Sequence, residues 1–222
     1  TDPTTGSFNP TQVLQFLKSL ESMPIENKNQ WNENVEFKAE INSGNFFLEK
    51  DGFTYDFVQR SDIPEHGHSH SERKIEKKIN CHAYKVEFVN ANDTVVITSE
   101  ATKTGHYNFF KGNNPSKWAS EVKAFERVNY NEIYKGIDLK VYNDNAKLKY
   151  DFVVEKGISP QVIQLNYLGV NSLELKQGRL IVKTSVNEVI EEKPYAYQFI
   201  DGAKQEVLCD YVLNNKIVSF SF

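Results

Sequence analysis

Short segments in which apolar and polar residues alternate recur along this chain, and this pattern constrains its fold more than any other feature. Residues 35–41 alternate between apolar and charged side chains, and residues 148–154 show a similar period of two. This period is typical of a β-strand with one face in a core and the other in water. Turn residues separate the segments at intervals of about 8–12 residues, as in β-sandwiches and barrels.

We therefore expect an all-β fold of the antiparallel β-sandwich type, built as one body or as two packed β lobes, with one short N-terminal α-helix. Residues 1–24 are interpreted as a flexible lead-in plus this amphipathic helix, and residues 25–222 as the β domain. Pro24 cannot continue the helix and so ends it. If the β domain has two lobes, their boundary lies near residues 144–156.

Two Asp-Gly pairs predict hairpin turns. Asp51-Gly52 stands between two segments of strand type, and Asp201-Gly202 stands between two others. Asp and Gly tolerate the positive φ angles of a type I′ turn, which is favoured in two-residue hairpin loops. We therefore expect a hairpin at each pair.

Charge and hydropathy exclude two classes of partner. The chain has 222 residues with 26 basic and 30 acidic side chains, for a net charge of −4. It therefore lacks the basic excess that favours nucleic-acid binding. No apolar run approaches the roughly 20 residues that span a bilayer, so no membrane insertion is expected. The chain begins at Thr1 without a signal peptide, which we interpret as a mature or trimmed chain.

The two cysteines do not predict a metal site. Cys81 and Cys209 are too far apart in sequence for metal-ligand spacing, and two cysteines are too few for a disulfide framework. Either both are free thiols or they form a single disulfide.

Residues 59–80 interrupt the strand pattern with a polar, histidine-rich segment, interpreted as a mobile loop between strands. His66, His68 and His70 alternate, so in an extended segment all three side chains project the same way and can reach one ion. His82 or Glu65 could supply a fourth ligand for zinc. The alternatives are a solvated loop without bound metal and adventitious binding of Zn, Ni or Cu.

Four aromatic residues are candidate ligand contacts. Trp31, Tyr107, Trp118 and Tyr134 lie in or beside the expected loops, where an aromatic ring can stack on a sugar or anchor a partner. The alternative is that these rings fill a β-sandwich core.

Signals for catalysis are weak. Asp138 and Asp151 lie on neighbouring expected strands, and such a carboxylate pair could hydrolyse glycosides, although a structural role is the alternative. Glu188, Glu191 and Glu192 are interpreted as the wet face of a strand. The chain has no G-x-S-x-G or H-E-x-x-H motif and no glycine-rich phosphate loop. We therefore assign no catalytic residue and expect no cofactor.

Most of the chain from Ile25 to Phe222 resembles a known family. The resemblance rests on residues 25–31, 47–52, 82–86, 112–120, 134–139, 148–154 and 193–198. These segments resemble the N-terminal domain of unknown function in large secreted surface proteins of Bacteroidetes. Such proteins often continue into seven-bladed-propeller-type repeats or PKD-like modules and commonly end in a gliding-motility-associated or type IX secretion C-terminal domain. The chain departs from this family at Asn29 and Cys81, where glycine is expected.

The resemblance implies a secreted or cell-surface location and no established activity. We therefore expect a non-catalytic extracellular module of a larger bacterial surface protein. Its role would be adhesion or glycan binding, or that of a structural N-terminal cap. The expected partners are an extracellular glycan or surface protein and the downstream domains of the same parent chain. The alternative is a glycan-active hydrolase or accessory domain that uses carboxylates in an aromatic cleft.

Overall fold

The computed structural model describes residues 23–59, 79–144 and 147–222. Within these ranges the chain is all-β, and its strands form antiparallel sheets, as the alternating pattern predicts. No helix in these ranges is long and apolar enough to cross a membrane. The expected N-terminal helix and most of the histidine-rich segment lie outside the described residues.

Nineteen strands are present in the described ranges. In the first half of the chain they are β1 (Ile25–Glu26), β2 (Val35–Ile41), β3 (Gly44–Glu49), β4 (Gly52–Val58), β5 (Cys81–Phe88), β6 (Val96–Thr102), β7 (Tyr107–Phe109), β8 (Ala119–Val122) and β9 (Phe125–Tyr134). In the second half they are β10 (Ile137–Asp144), β11 (Lys147–Val154), β12 (Leu165–Leu168), β13 (Ser172–Lys176), β14 (Arg179–Lys183), β15 (Glu188–Glu191), β16 (Ala196–Ile200), β17 (Ala203–Val207), β18 (Asp210–Asn214) and β19 (Ile217–Ser221). Short 3-10 turns lie at Pro115–Lys117 and Pro160–Val162.

One large sheet organises the molecule. It has eight strands in the order β1-β2-β3-β4-β5-β12-β19-β18, and a four-stranded sheet has the order β11-β10-β9-β6. Strands β13-β14-β15 form a third sheet, and the pairs β7-β8 and β16-β17 form two small ones. Because β5 pairs with β12, the eight-stranded sheet combines strands from both halves of the chain.

A single large apolar cluster joins the eight-stranded, four-stranded and three-stranded sheets. Phe53 and Phe88 of the large sheet meet Tyr130 of β9 edge to face, with ring centroids 6.3 and 6.0 Å apart. Full burial of one such side chain contributes about 1.5–3 kcal/mol. The apolar positions of the alternating segments therefore converge on one core.

One of the two hairpin predictions is only partly correct. Asp201 and Gly202 take φ angles of 50° and 79° and connect β16 to β17, as expected. The first hairpin is also present, but Gly52 lies within β4 and pairs with Glu49, so the turn consists of Lys50 and Asp51. A Cβ atom on Gly52 would lie 2.3 Å from the carbonyl oxygen of Val86. The glycine is therefore required by the close approach of β5.

The assignment of Glu191 to a wet strand face is wrong. Glu188 and Ile190 are exposed, whereas Glu191 is partly buried and points toward the core. Tyr150 and Tyr167 donate their phenolic hydrogens to its two carboxyl oxygens, at 3.1 and 2.7 Å. Desolvation by burial raises the pKa of the Glu191 carboxyl, and the two phenol donors only partly oppose that shift. This carboxyl therefore links β15 to β11 and β12.

The cysteines are free thiols, with Cys81 exposed and Cys209 buried. Of the two arrangements that the sequence leaves open, the structure has the one without a disulfide. Burial raises the pKa of the Cys209 thiol, and a raised pKa makes a cysteine less reactive at neutral pH. Cys209 is therefore a packing residue.

A first prediction concerns Gly44, at the start of β3. A Cβ atom there would lie 1.9 Å from the backbone oxygen of Asp56, so Gly44→Ala forces β3 and β4 apart. We expect a loss of about 1–3 kcal/mol in the free energy of unfolding, as for other overpacked sites, measured by urea denaturation. Asn42→Ala, at an exposed position in the same turn, is the control and should be nearly neutral. Equal stabilities of the two variants would contradict the close strand approach.

A second prediction concerns the pH dependence of stability. Because the folded pKa of Glu191 is raised, the unfolded chain releases this proton first as pH rises, so the wild-type protein loses stability through that window. Glu191→Gln does not titrate. Its unfolding free energy relative to wild type should therefore improve as pH rises from the ordinary carboxyl range through the raised pKa. Urea denaturation across the acid-to-neutral range measures this difference.

The control for this experiment is Glu188→Gln, at an exposed position of the same strand. Its stability relative to wild type should stay nearly constant over the same range. If the difference in unfolding free energy between Glu191→Gln and wild type also stays constant across this pH range, the Glu191 carboxyl is not desolvated in the folded protein.

Candidate functional site

A groove of about 410 Å³ lies where the loop between β1 and β2 folds over the outer face of the large sheet. We call it the Trp31 groove. Its lining combines two aromatic rings with polar side chains from the loop and from β3 and β4. The lining residues are Trp31, Asn32, Asn34, Val35, Phe47, Glu49 and Thr54.

Strand register places the sheet side of the groove. Lys38 of β2 pairs with Phe47 of β3, and Phe47 pairs with Thr54 of β4. Cross-strand partners share a face, so these three side chains form a row. Their chain neighbours Phe46 and Phe53 are buried in the core. The row therefore lies on the opposite, partly exposed face of the sheet.

The Asn27 side chain holds the loop that carries Trp31. Its Nδ2 donates to the backbone oxygens of Asn32 and Val35, at 2.8 and 2.7 Å. Its Oδ1 accepts from the backbone N–H of Trp31 at 3.2 Å. Asn29 supplies the turn with φ at 77°, a conformation that asparagine tolerates better than most residues. The asparagine that replaces the expected glycine therefore still permits the turn.

Further contacts attach this loop to its surroundings. Gln30 Nε2 donates to the backbone oxygen of Glu26 at 2.7 Å. Lys28 Nζ donates to the backbone oxygen of Glu121 in β8 at 2.9 Å. The loop is thus bonded to β1, β2 and β8, so Trp31 is held in place before any ligand arrives.

Aromatic contacts extend from the groove to β7. Trp31 meets Phe109 edge to face at 5.5 Å between ring centroids, and Phe109 stacks with Tyr107 at 6.3 Å. All three rings pack on a small apolar cluster separate from the main core. The structure therefore brings together two of the four aromatic candidates, Trp31 and Tyr107, through a residue that the sequence did not single out.

A lysine ammonium lies near both aromatic walls of the groove. Lys38 Nζ is 5.6 Å from the ring centroid of Trp31 and 6.0 Å from that of Phe47, within the range of a cation–π interaction. In the described part of the chain, Lys38 forms no ion pair. Its charge is therefore available at the groove edge.

A hydrogen-bonded chain orders the polar end of the groove. Thr54 donates to Glu49 at 3.0 Å, and Lys85 bridges Glu49 and Asp51 at 2.9 and 2.8 Å. Partial burial lowers the pKa of the Lys85 ammonium, but its hydrogen bonds to Asp51 and Glu49 outweigh that effect and raise the pKa above its ordinary value. The Glu49 side chain is therefore held between Thr54 and Lys85.

Trp118 and Tyr134 lie outside the groove. Trp118 is 42% exposed, meets Phe110 edge to face at 5.8 Å and donates its Nε1–H to the backbone oxygen of Gly112 at 3.2 Å. Tyr134 is buried in the main core and lines a different cleft, of about 940 Å³. Burial raises the pKa of its phenol to about 12, and the phenol donates to the Gln164 carbonyl at 3.3 Å. The core alternative thus describes Tyr134 better than the ligand alternative.

The candidate metal ligands His66, His68 and His70 lie outside the described residues. Both ring nitrogens of His82 are engaged, with Ser185 Oγ at 3.0 Å and the Gly169 carbonyl oxygen at 2.9 Å. Across residues 23–59, 79–144 and 147–222, no cluster of three or more His, Cys, Asp or Glu side chains is arranged to hold a metal ion.

The candidate catalytic carboxylates have structural partners. Asp138 accepts a hydrogen bond from the backbone N–H of Glu132 at 2.8 Å. Asp151 accepts one from the phenol of Tyr142 at 2.8 Å. Neither carboxylate lines the Trp31 groove or the Tyr134 cleft.

Sequence reasoning singled out only Trp31 among the seven residues that line the groove. Phe47 and Thr54 line it from two further strands whose register the sequence does not specify, and Asn34 lies in the Trp31 loop itself. The signal that was available is local: Phe47 occupies the polar position of an alternating strand. An aromatic ring on the wet face of a strand can mark a binding surface.

Comparisons with curated proteins and with solved structures return no match. A protein family described as "Domain of unknown function (DUF7948)" matches residues 25–222, which is most of the chain. This result agrees with the resemblance to a domain of unknown function. The chain belongs to the DUF7948 family of domains of unknown function.

Proposed function

We propose that this domain is a non-catalytic module that binds an extracellular glycan in the Trp31 groove. One observation carries the proposal: the groove combines the rings of Trp31 and Phe47 with the side chains of Asn32, Asn34 and Thr54 in about 410 Å³. This volume falls in the roughly 300–1,000 Å³ range of small-molecule sites. A saccharide suits such a lining because its C–H faces pack on rings while its hydroxyls bond to amides.

Available hydrogen-bonding groups support a polar ligand. In the described part of the chain, the Asn34 side chain and the Nδ2 of Asn32 have no hydrogen-bond partner, and both residues are exposed. An amide both donates and accepts, so it can bond to a sugar hydroxyl in either sense. These two loop residues are therefore the proposed polar contacts, beside the Trp31 ring.

The wider setting is also a proposal. The resemblance to the N-terminal domain of Bacteroidetes surface proteins supports a secreted or cell-surface location, a role in adhesion, and downstream domains in the same parent chain. The shared apolar cluster of the three main sheets supports a sandwich-type scaffold. The structural-cap alternative predicts buried tryptophans, whereas Trp31 in the groove is only partly buried and Trp118 is 42% exposed.

The hydrolase alternative is less well supported. It needs two convergent carboxyl groups in a cleft. Asp138 and Asp151 are instead bonded to a backbone amide and a tyrosine. The carboxylate at the groove, Glu49, is held by Thr54 and Lys85.

A third prediction tests the groove directly. Trp31→Ala removes one aromatic wall, so the affinity for a saccharide identified on an array of neutral and acidic glycans should fall about thirty-fold or more. This corresponds to about 2 kcal/mol for a central aromatic contact, and isothermal titration calorimetry measures it. Trp118→Ala is the matched control, because that ring lies outside the groove.

Binding that persists in Trp31→Ala but is lost in Trp118→Ala would move the site to the β7–β8 loop. If the wild-type domain binds no glycan on the array, the proposed function is wrong. Urea denaturation of both variants separates loss of binding from loss of folding. Because Trp31 is only partly buried, its truncation should cost less than the roughly 3–5 kcal/mol of a fully buried aromatic.

A fourth prediction tests whether the loop is preorganised. Asn27→Asp preserves side-chain size but removes the two N–H donors to the backbone oxygens of Asn32 and Val35. We expect weaker glycan binding and faster amide hydrogen exchange confined to the loop, because its closing bonds are lost. Asn34→Asp, at an exposed loop position without such bonds, should leave exchange unchanged. Wild-type exchange rates in Asn27→Asp would show that the loop does not depend on this side chain.

A further inference from the structure

The β16–β17 hairpin forms a sheet of two strands that is exposed on both faces. Every residue of the two strands is exposed except Ala196 and Val207, which are partly buried. Within the described ranges neither outer edge pairs with another strand. An isolated two-stranded sheet is marginally stable in water, so an additional strand partner would stabilise this one.

The turn geometry determines which backbone groups face outward from β17. The two-residue turn at Asp201 and Gly202 closes on the pair Ile200–Ala203, which is the hydrogen-bonded pair in such a hairpin. Bonded and non-bonded pairs alternate along an antiparallel ladder. The backbone N–H and C=O groups of Lys204 and Glu206 therefore point away from β16, toward the open edge.

The sequence of β17 is complementary to itself in the antiparallel direction. It reads Ala203-Lys204-Gln205-Glu206-Val207. If two copies meet antiparallel with Gln205 at the centre, Lys204 of each lies opposite Glu206 of the other, and Ala203 lies opposite Val207. This register also matches the outward backbone groups, because Lys204 and Glu206 would exchange N–H···O bonds across the edge. In the described part of the chain, neither Lys204 nor Glu206 forms an ion pair.

The same register joins two aromatic surfaces. Tyr195, Tyr197 and Phe199 are 60%, 48% and 68% exposed. Tyr197 pairs with Glu206 and Phe199 pairs with Lys204, so these rings lie on the face that carries the charges. Lys204 Nζ already lies 3.9 Å from the ring centroid of Tyr197. A second copy would extend this face across a two-fold axis.

We propose that β17 is a self-association edge, and that two copies of this chain pair their β17 strands antiparallel around Gln205 to form a four-stranded sheet. The contact is isologous, because the same residues serve both copies. Four backbone hydrogen bonds and two exposed ion pairs make a weak interface, because each replaces interactions with water and contributes little net free energy. The dimer therefore forms at high protein concentration, as on a crowded surface.

The decisive experiment is sedimentation equilibrium of the wild-type chain and three charge variants, from low micromolar to near-millimolar protein. Lys204→Glu and Glu206→Lys each place like charges opposite one another twice per dimer. Each should raise the dimer dissociation constant about ten-fold, because like charges directly opposite are destabilising in antiparallel sheets. The double variant K204E/E206K restores both opposite-charge pairs and should recover the wild-type constant.

A cross-linking measurement tests the register independently. In a Cys81→Ser background, Gln205→Cys places two thiols opposite each other at the centre of the edge. Non-bonded antiparallel pairs have Cα atoms about 4.5 Å apart, within disulfide reach. We expect a covalent dimer on mild oxidation. Gln198→Cys lies on the same face of the other strand and should remain monomeric.

Three outcomes would overturn the proposal. The first is a wild-type chain that stays monomeric at every concentration, which would leave this edge to a different protein or to a saccharide. The second is a dimer that none of the charge variants weakens, which would place the contact elsewhere. The third is equal cross-linking through residues 198 and 205, which would exclude the proposed register. Circular dichroism confirms that each variant is folded.

Discussion

Hydrogen bonds from three buried tyrosine hydroxyls to acceptors on other strands link the sheets of this molecule, whereas the buried Tyr84 hydroxyl has no such partner in the described part of the chain. Tyr130 is fully buried and donates to the backbone oxygen of Glu49 at 3.0 Å. Tyr150 and Tyr167 donate to Glu191. A buried phenol without a partner costs about 1–3 kcal/mol, so each bond specifies which strands face each other. The aromatic composition thus supplies both apolar area and a set of directional constraints.

This constraint reaches the candidate site through Glu49. Its backbone oxygen accepts the Tyr130 hydroxyl on the core side of the large sheet, while its side chain holds Thr54 and Lys85 on the outer side. The polar end of the Trp31 groove is therefore attached to the core by one residue. On the opposite side of the groove, three hydrogen bonds from the Asn27 side chain hold the loop that carries Trp31. A groove held on both sides can bind a ligand without first being ordered, which reduces the entropic cost of binding.

The two proposed interaction surfaces differ in physical character. The Trp31 groove is concave and formed by side chains from a bonded loop and three strands. The β17 edge is a backbone ladder in which Lys204 and Glu206 flank Gln205. A saccharide with many hydroxyls suits the first surface, and a strand of matching charge suits the second. A module with both could bind a ligand and associate with its own copies, and association would increase avidity on a repetitive surface.

Predictions that depend on residues adjacent in sequence are correct, whereas the errors concern residues whose partners come from distant strands. The Asp201-Gly202 turn is predicted correctly because its φ angles depend on two adjacent residues. The turn position of Gly52 is misassigned because this glycine is required by the close approach of β5, a strand much later in the chain. Glu191 is misassigned because the sequence groups it with Glu188 and Glu192, whereas its partners Tyr150 and Tyr167 come from other strands. Trp31 and Tyr107 are candidates because of their residue type and their position beside loops, whereas no motif in the sequence singles out Phe47 or Thr54.

The sequence by itself determined the all-β class and the antiparallel connections, because a period of two and tight turn signals are properties of neighbouring residues. It also indicated aromatic residues near loops as candidates for binding. Only the tertiary structure decided that Trp31 and Phe47 line one groove, that Tyr134 is buried, and that β17 pairs with β16 alone among the described strands. These features depend on which strands pair and in what register, and that choice is made by the packing of the whole core.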